Sequence, residues 1–579
     1  VGADITGNPC FCFIYIENWA LASSATDYLA ADNSASPVQH FWSLSVEEQF
    51  YLLWPILLLA AFWVARRFKL SPRTTAQTVI SGVICLSLAI SVTATINEPA
   101  SAYFITPTRM WELAMGGAIA TLPIMSTRLA SSFGPLLAWL GVTAIVISAV
   151  YYSGSTPFPG YAALVPVLGT ALVIWTGACG AFSPTNVFRL RPIQWLGNVS
   201  YSVYLWHWPL IALIPYVSGG HLGRLDKAFI LVATLLLAGA SKKFIEDRYR
   251  VSKPGASLAA TYRLAGVGMI TVVALSAGQL AEVEYRQTVA TNQLKSAVNG
   301  NDPCFGASSI AAGFDKCPQD PTADPVPDLT LARTDKAEAY EDHCWNNAPF
   351  TERTKCTYGS GPKQVALVGN SHAGHWLPAL QIIAEQKGWT ITTYLVSRCN
   401  PTDAPLTFDT PEKTENCLEW GRWAMEETKS TKYDLVITSE RQSVPVQGYN
   451  YANSAEPAKN GYISYLKDWS EGGTNLVIIK DPTFPGGSVP DCLAENLENH
   501  LSCSGTPEEW HVMTPLFAAA KELARPNIHA VNLDSYFCGE DRCRAVIGGV
   551  VVYFDGSHIT ATYARTLAPY LSNAIRQAL

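Results

Sequence analysis

Residues 364–383 read QVALVGNSHAGHWLPALQII. Positions 365–368 form a short apolar run of strand length, 369–372 have the composition of a tight turn, and 373–386 carry the apolar spacing of an amphipathic helix. Further strands are expected at 389–397, 434–439, 474–480 and 528–533, separated by helical patterns such as 414–428 and 514–524. That alternation predicts an α/β fold, a parallel sheet covered by helices on both faces. In such sheets the reactive groups sit beyond the carboxyl ends of the strands, and Ser371 occupies that place.

A serine hydroxyl there needs a base. Near the end of the chain Phe554, Asp555, Gly556, Ser557 and His558 place an acid and an imidazole three residues apart, so both can turn toward one hydroxyl. His558 would accept the Ser371 proton and Asp555 would hold the imidazole tautomer, which makes a serine nucleophilic near neutral pH. The Ser371 backbone N–H would begin an oxyanion hole. Ser439 and Arg441, after an apolar strand, are further contributors, or else a satisfied surface pair. His375, one helical turn beyond Ser371, reads as a rim residue.

Outward from this unit the composition changes. The 579 residues are 49% hydrophobic and only 15% charged, and the scarcity of charge is confined to one half. Residues 1–285 carry a formal +3 and residues 286–579 a formal −10. A single soluble fold, a disordered chain and a basic nucleic-acid binder are thereby excluded, since no cationic surface exists to neutralise phosphates. Apolar runs at 48–65, 77–97, 110–126, 134–152, 160–178, 198–217, 227–241 and 264–281 predict eight membrane spans at about 20 residues each. Between Leu129 and Phe188 there is no charged residue at all, so the SGSTPFPG turn at 153–160 must divide that run.

Lys and Arg accumulate on the cytoplasmic side of spans. With the end of the first span inside, Arg66, Arg67, Lys69, Arg73, Arg128, Arg189, Arg191, Lys242, Lys243, Arg248, Arg250, Lys253 and Arg263 all fall inside, and only Arg109, Arg224 and Lys227 outside. The acidic half then lies on the exterior face. Its cysteines point the same way. Cys304, Cys317, Cys344, Cys356, Cys399, Cys417, Cys492, Cys503, Cys538 and Cys543 fall into close sequential pairs, which in an oxidising compartment reads as five local disulfides among the many connectivities that ten cysteines permit. A zinc site is the competing reading, but no CxxC occurs and the histidines are not at ligand spacing, so no metal is expected. The expected organisation is a membrane domain over 1–285, a disulfide-pinned linker over 286–362 and an α/β domain over 363–579.

Several ionisable groups sit where hydrocarbon would penalise them: Glu47 and Glu48 entering the first span, Arg109 with Glu112 entering the third, and His207 in the sixth. Such groups face a cavity or one another and mark function, or they snorkel from span ends.

Two sets of motifs carry a family resemblance. GNSH at 369–372 and DGSH at 555–558 resemble the first and last blocks of the SGNH hydrolase family, whose members usually have Asp at the position of Asn370. No stretch stands out as that family's middle-block Gly and Asn. FWSLSVEEQFYLLWP at 41–55, TRMWELAMGG at 108–117, LGNVSYSVYLWHWPLI at 196–211 and KKFIEDRYR at 242–250 resemble, in this order, the membrane-bound acyltransferase family three. The combination is similar to the bacterial O-antigen and cell-wall O-acetyltransferases. The resemblance implies a multi-pass protein of the bacterial inner membrane with an extracytoplasmic SGNH domain. It also implies an acyl group taken from cytoplasmic acetyl-CoA, as donor substrate rather than bound cofactor, and placed on an exported cell-envelope glycan. The family opens with a span bearing an essential His, and usually has eleven spans; no His precedes His40 here, so about three spans are expected to be missing at the front. His40 is no substitute, because the orientation puts it outside.

Two other functions compete. The same triad could remove acetyl groups from glycans as an esterase, since water or a sugar hydroxyl can take the acyl group from the serine. The spans could also form a glycan or lipid transporter with an exterior binding domain, which internal repeats would favour and none is found. No GxxxxGK[ST] nucleotide loop occurs.

Overall fold

A computed structural model describes residues 15–26, 36–122, 127–153, 156–177, 182–218, 222–249, 258–298, 300 and 302–578, apart from a few side chains within these ranges. Cys10, Cys12, Cys179, Arg250, Lys253 and the Arg128 side chain lie outside the described residues. The chain divides into two compact units, Val1–Ala281 and Glu282–Leu579.

A helix occupies each of the eight apolar segments: α1 Phe41–Phe68, α2 Pro72–Asn97, α3 Thr106–Thr121, α4 Thr127–Tyr151, α5 Leu164–Thr176, α6 Arg191–Leu213 and α7 Arg224–Ser241 in the first unit, and α8 Leu258–Val298, whose residues belong to both. Five stretches are long and apolar enough to cross a membrane: Phe41–Phe68, Pro72–Asn97, Phe133–Tyr151, Arg224–Tyr249 and Tyr262–Ser296. Three of the eight expected spans do not meet that measure. α3 has 16 residues and α5 has 13, about 24 and 20 Å of helix. Pro107 opens α3, and α5 stops at Gly177 with φ +56°. α6 is longer but carries Arg191, Gln194, Asn198 and His207. Short or polar helices are tolerated at membrane depth where protein covers them. α5 packs against α4 along one face: a Cβ on Gly141 would stand 2.5 Å from the Gly169 carbonyl oxygen, so glycine lets the two backbones meet. The bundle's outer surface is apolar, with Leu52, Leu59 and Trp63 of α1 all at least 67% exposed, as a lipid-facing helix requires.

In the second unit, β1 Cys356–Gly359, β2 Lys363–Gly369, β3 Trp389–Leu395, β4 Leu435–Ser439, β5 Leu476–Ile479 and β6 Ile528–Val531 form one sheet in the order β1-β3-β2-β4-β5-β6. All neighbours are parallel except β1, antiparallel on the edge beside β3. β2 lies between β3 and β4, so successive connections leave it in opposite directions and open a crevice at its carboxyl end. Alternate β2 residues feed two cores. Val365 and Leu367 pack with α9 Leu377–Lys387 and α13 Ala561–Ala578; Ala366 and Val368 pack with α10 Pro411–Thr428, α11 Ala455–Ser470 and α12 Pro515–Leu523.

The stretch expected as a linker over 286–362 is largely part of this unit. α8 runs to Val298, and from Cys304 onward the chain is bonded into the domain. The Gly306 and Val326 N–H groups donate to the carbonyls of Gly548 and Gly549, at 3.0 and 2.8 Å, and Ala307, Ala332, Ala339 and Cys344 are fully buried. Without regular periodicity, its composition hides this packing. The ten cysteines form Cys304–Cys317, Cys344–Cys356, Cys399–Cys417, Cys492–Cys503 and Cys538–Cys543, all sequential neighbours. Cys85 is free and exposed.

Just past β4, Glu440 is buried among Asn400, Gln442 and Tyr462. Burial pushes its carboxyl up from 4.5 to about 7, with the nearby Tyr462 hydroxyl and Leu516 N–H pulling the other way. The folded state therefore holds this proton more tightly than the unfolded chain. The stabilisation is whole below pH 4.5 and is lost as pH rises through 7, on the order of 3 kcal/mol. Glu440→Gln should flatten the fall in melting temperature of the acidic unit between pH 5 and 8, read by thermal melts of the detergent-solubilised chain. Replacing Cys344 and Cys356 by Ala, which unpins β1, should destabilise the unit by about 2–4 kcal/mol, read as a lower melting temperature at fixed pH.

Candidate active site

The nucleophile turn follows from local geometry. Gly369 ends β2 at φ +145°, and a Cβ there would stand 2.6 Å from the Ser439 carbonyl oxygen and 2.8 Å from the Ala373 Cβ, so only glycine fits. Asn370 then caps a one-turn helix, Ser371–Gly374, its Oδ1 accepting the His372 N–H at 2.9 Å. The same side chain donates from Nδ2 to Asn400 Oδ1 at 2.7 Å and to the Arg441 carbonyl at 2.9 Å. Asn370 thus ties the turn to the ends of two neighbouring strands. Among the described residues no hydrogen bond takes up the Ser371 N–H.

The second half of the site is a loop that closes on itself. The Phe554 N–H donates to the His558 carbonyl at 3.0 Å, and Asp555 Oδ1 accepts the N–H groups of Ser557 and His558, both at 2.7 Å. Asp555 Oδ2 lies 2.7 Å from His558 Nδ1, and His558 Nε2 lies 2.8 Å from Ser371 Oγ. Ser371, His558 and Asp555 therefore meet as a serine–imidazole–carboxylate chain, the first two 187 positions apart in sequence. Burial pushes the Asp555 carboxyl up, but the His558 imidazole and the loop's hydrogen bonds outweigh it and hold the group below the usual carboxylate range. It stays ionised, so Nδ1 keeps its proton and the Nε2 lone pair faces the hydroxyl.

Other sequence-read residues are placed differently. Ser439 is fully buried within β4 and Arg441 lies 3.6 Å from the Phe484 ring centroid, so they are not a surface pair; their backbones support the turn. His375 is 1% exposed, not a rim residue. Three residues escaped the sequence reading. His372 Nδ1 lies 2.6 Å from Asp481 Oδ1, with both groups buried, and Asn400 bridges Asn370 to Glu440. Their signal was a polar side chain just after an apolar strand, in VSRCN after β3 and IIKDP after β5. His372, His375 and Asp481 also form the one group among the described residues whose ligand atoms could converge on a cation. In this arrangement His372 Nδ1 is already committed to the Asp481 carboxyl.

In the membrane unit, Arg109 is nearly buried and pairs with Glu112 at 3.2 Å. Its guanidinium lies 4.8, 4.9 and 5.6 Å from the ring centroids of Tyr103, Phe158 and Trp42. His207 Nδ1 bonds the Tyr204 carbonyl at 2.7 Å, and its ring lies 5.8 Å from that of His40. Glu47 is half-buried and Glu48 exposed. Gln49, between them and Phe50, bonds Tyr15, Asn18, Trp19 and Thr106. Ser202, at 2.6 Å, and Lys242, at 3.1 Å, hold Glu246 in the π-helical turn Lys242–Glu246.

Comparison with known proteins matches both units. Residues 9–241 fit the acyltransferase domain model, and residues 340–573 fit the SGNH domain that occurs fused to such domains. The peptidoglycan O-acetyltransferase OatA of Listeria monocytogenes is 29% identical over 261 residues, 43% of this chain and 40% of the relative. YrhL of Bacillus subtilis, provisionally named a peptidoglycan O-acetyltransferase, is 29% identical over 42% of this chain and 40% of its own length. The O-acetyltransferase OatA of Staphylococcus aureus is 28% identical over 41% and 40%. The matched region thus spans about two-fifths of each curated relative. Among solved structures, the periplasmic domain of a Salmonella ser. Paratyphi A lipopolysaccharide acetyltransferase aligns over 38% of this chain and 85% of its own, at 15% identity and a TM-score of 0.29. Matched in both its helical and its α/β unit, the chain belongs to the family three membrane acyltransferases that carry a fused SGNH domain.

Proposed function

We propose that this protein is an O-acyltransferase that moves an acetyl group from cytoplasmic acetyl-CoA across the membrane to a hydroxyl of an exported cell-envelope glycan, with Ser371 carrying the acyl group as an ester. The observation that carries this reading is the Ser371–His558–Asp555 chain, with contacts of 2.8 and 2.7 Å, in a protein whose relatives are named for O-acetyl transfer to peptidoglycan. The donor rests on the family resemblance. Five disulfides and the distribution of Lys and Arg support an extracytoplasmic position for the SGNH unit.

The chemistry balances within the triad. Ser371 Oγ attacks the acyl carbonyl and its proton passes to His558 Nε2. The tetrahedral oxyanion is met by the Ser371 N–H. As the bond to the leaving group breaks, Nε2 returns that proton to it and the serine ester remains. An acceptor hydroxyl then gives its proton to Nε2, attacks the ester carbonyl and departs as the acylated glycan, while Nε2 reprotonates Ser371 Oγ. Asp555 stays ionised throughout and stabilises the imidazolium formed in each half-reaction.

Asn370 also has a definite part in this scheme. An Asp at 370 would still cap the turn but could not donate to Asn400 Oδ1 or to the Arg441 carbonyl.

Ser371→Ala should remove an acetyl mass from envelope glycans, measured by mass spectrometry against cells carrying the parent. A gain of acetyl would mark an esterase, and unchanged acetylation with altered glycan export would mark a transporter. The same variant should lower p-nitrophenyl acetate hydrolysis by the solubilised chain by a factor on the order of 10⁴. Asn370→Asp should destabilise the SGNH unit by about 1–3 kcal/mol, read as a lower melting temperature.

A further inference from the structure

The two hydrogen bonds that hold His558 lie at the two ends of its ring, at Nδ1 and at Nε2. Together with the covalent bond at Cγ, this pair sets the place of the ring, and turning out of it would stretch both hydrogen bonds. Turning has a cost here, because Ser557 Oγ stands 3.1 Å from Nδ1 and competes with the Asp555 carboxylate for that proton. Packing against the ring resists that turn. Three rings surround the imidazole, and His375 meets it edge-on at the greatest distance, 6.1 Å between centroids. Phe554 lies 5.2 Å away by centroids and nearly parallel, at 7°. His372 lies closer, at 4.3 Å and 36°.

His372 is itself unusually fixed. Its N–H is capped by Asn370 and its Nδ1 meets Asp481 Oδ1 at 2.6 Å, with both side chains at most 3% exposed. Asp481 comes from the end of β5, so a third strand end reaches the catalytic imidazole through this pair. The contact is nearly identical to the 2.7 Å contact between His558 and Asp555, yet His372 Nε2 has no partner among the described residues. A ring so placed is useful to the base only while uncharged, because two imidazolium rings 4.3 Å apart would repel when His558 takes the serine proton. Burial keeps the His372 imidazole well below its usual range, and His558, His375 and Arg441 press in the same direction.

We propose that His372, anchored by Asp481, is a positioning residue for the catalytic base: a neutral ring that sets the tilt of His558 and so keeps Nε2 on the Ser371 hydroxyl. The inference rests on the Ser371–His558–Asp555 reading above.

The test uses the full-length chain in detergent with p-nitrophenyl acetate as the probe and Ser371→Ala as the baseline. His372→Ala should lower kcat by about 10–100-fold with KM little changed, the effect of a base misplaced by a fraction of an ångström to an ångström. Asp481→Leu should do the same, because it frees the ring. The double variant His372→Phe with Asp481→Leu keeps a flat ring and buries no unpaired polar group, and should recover to within about threefold of the parent. That rescue separates positioning from general loss of structure. If a single variant does not fold, the rate of the double variant decides alone. Parental kcat in His372→Ala, a double variant as slow as the singles, or loss of wild-type activity on chelation, which would make these groups metal ligands, would each overturn the proposal. A Ser371→Ala chain as fast as the parent would instead sink the triad reading.

Discussion

The contact between Ser371 Oγ and His558 Nε2 is the constraint on which the acidic unit is organised. Its two partners come from opposite ends of the domain sequence, one from the turn after the central strand, the other from a loop just before the last helix. Every feature nearby holds one of these two ends. Gly369 allows β4 to approach the turn, Asn370 ties the turn to the chain beyond β3 and β4, and the Asp555 carboxylate closes the loop on itself. The loop is tied in turn to the chain beyond β5, where Gly486 N–H and Val489 N–H donate to the Gly556 and Asp555 carbonyls. A parallel sheet suits this task, because it brings the carboxyl ends of several strands to one edge, so residues far apart in sequence supply one site.

How much of this was legible depended on whether a feature is local. The strand, turn and helix around Ser371 are readable because a strand run, a Gly-Asn turn and a helical period follow within 20 residues. The Asp555 and His558 pair is readable because three residues separate its members. Strand β1 and the chain from Cys304 to Pro362 were not, since short antiparallel pairing and irregular packing leave no period behind. His372 and Asp481 escaped for a related reason. Neither residue type at its position is unusual, and only the meeting of β2 and β5 ends gives them a common environment. In the membrane unit, hydropathy located a helix at each of the eight apolar runs, and five stretches are long and apolar enough to cross a membrane, since an apolar run sets composition but not helix length.

The membrane unit applies a similar logic with different chemistry. Arg109 is a cation in an apolar setting, and its charge is met by Glu112 on one side and by the faces of three aromatic rings on the other. Cation–π contact is strongest where water is excluded. The arrangement is thus a means of keeping a charge at low solvent exposure without neutralising it. Gln49 performs the polar counterpart within α1, gathering donors and acceptors from Tyr15, Asn18 and Trp19 and from Thr106 of α3.

The departure at position 370 has its explanation in the direction of a hydrogen-bond chain. Asn370 Nδ2 donates to Asn400 Oδ1, and Asn400 Nδ2 donates to Glu440 Oε2, so the donors run one way, toward a carboxyl that is buried. An Asp at 370 would start the chain with an acceptor. Asn400 Oδ1 would then lose its donor, or the Asn400 amide would turn over and take its nitrogen from Glu440. Either change leaves a buried oxygen without a proton, and a second carboxylate in the same network would add repulsion between like charges in a low dielectric. An acid at 440 and an acid at 370 are therefore alternatives to one another in this network. With the acid at 440, an amide at 370 is what lets the cap, the turn and the neighbouring strand ends all be satisfied at once.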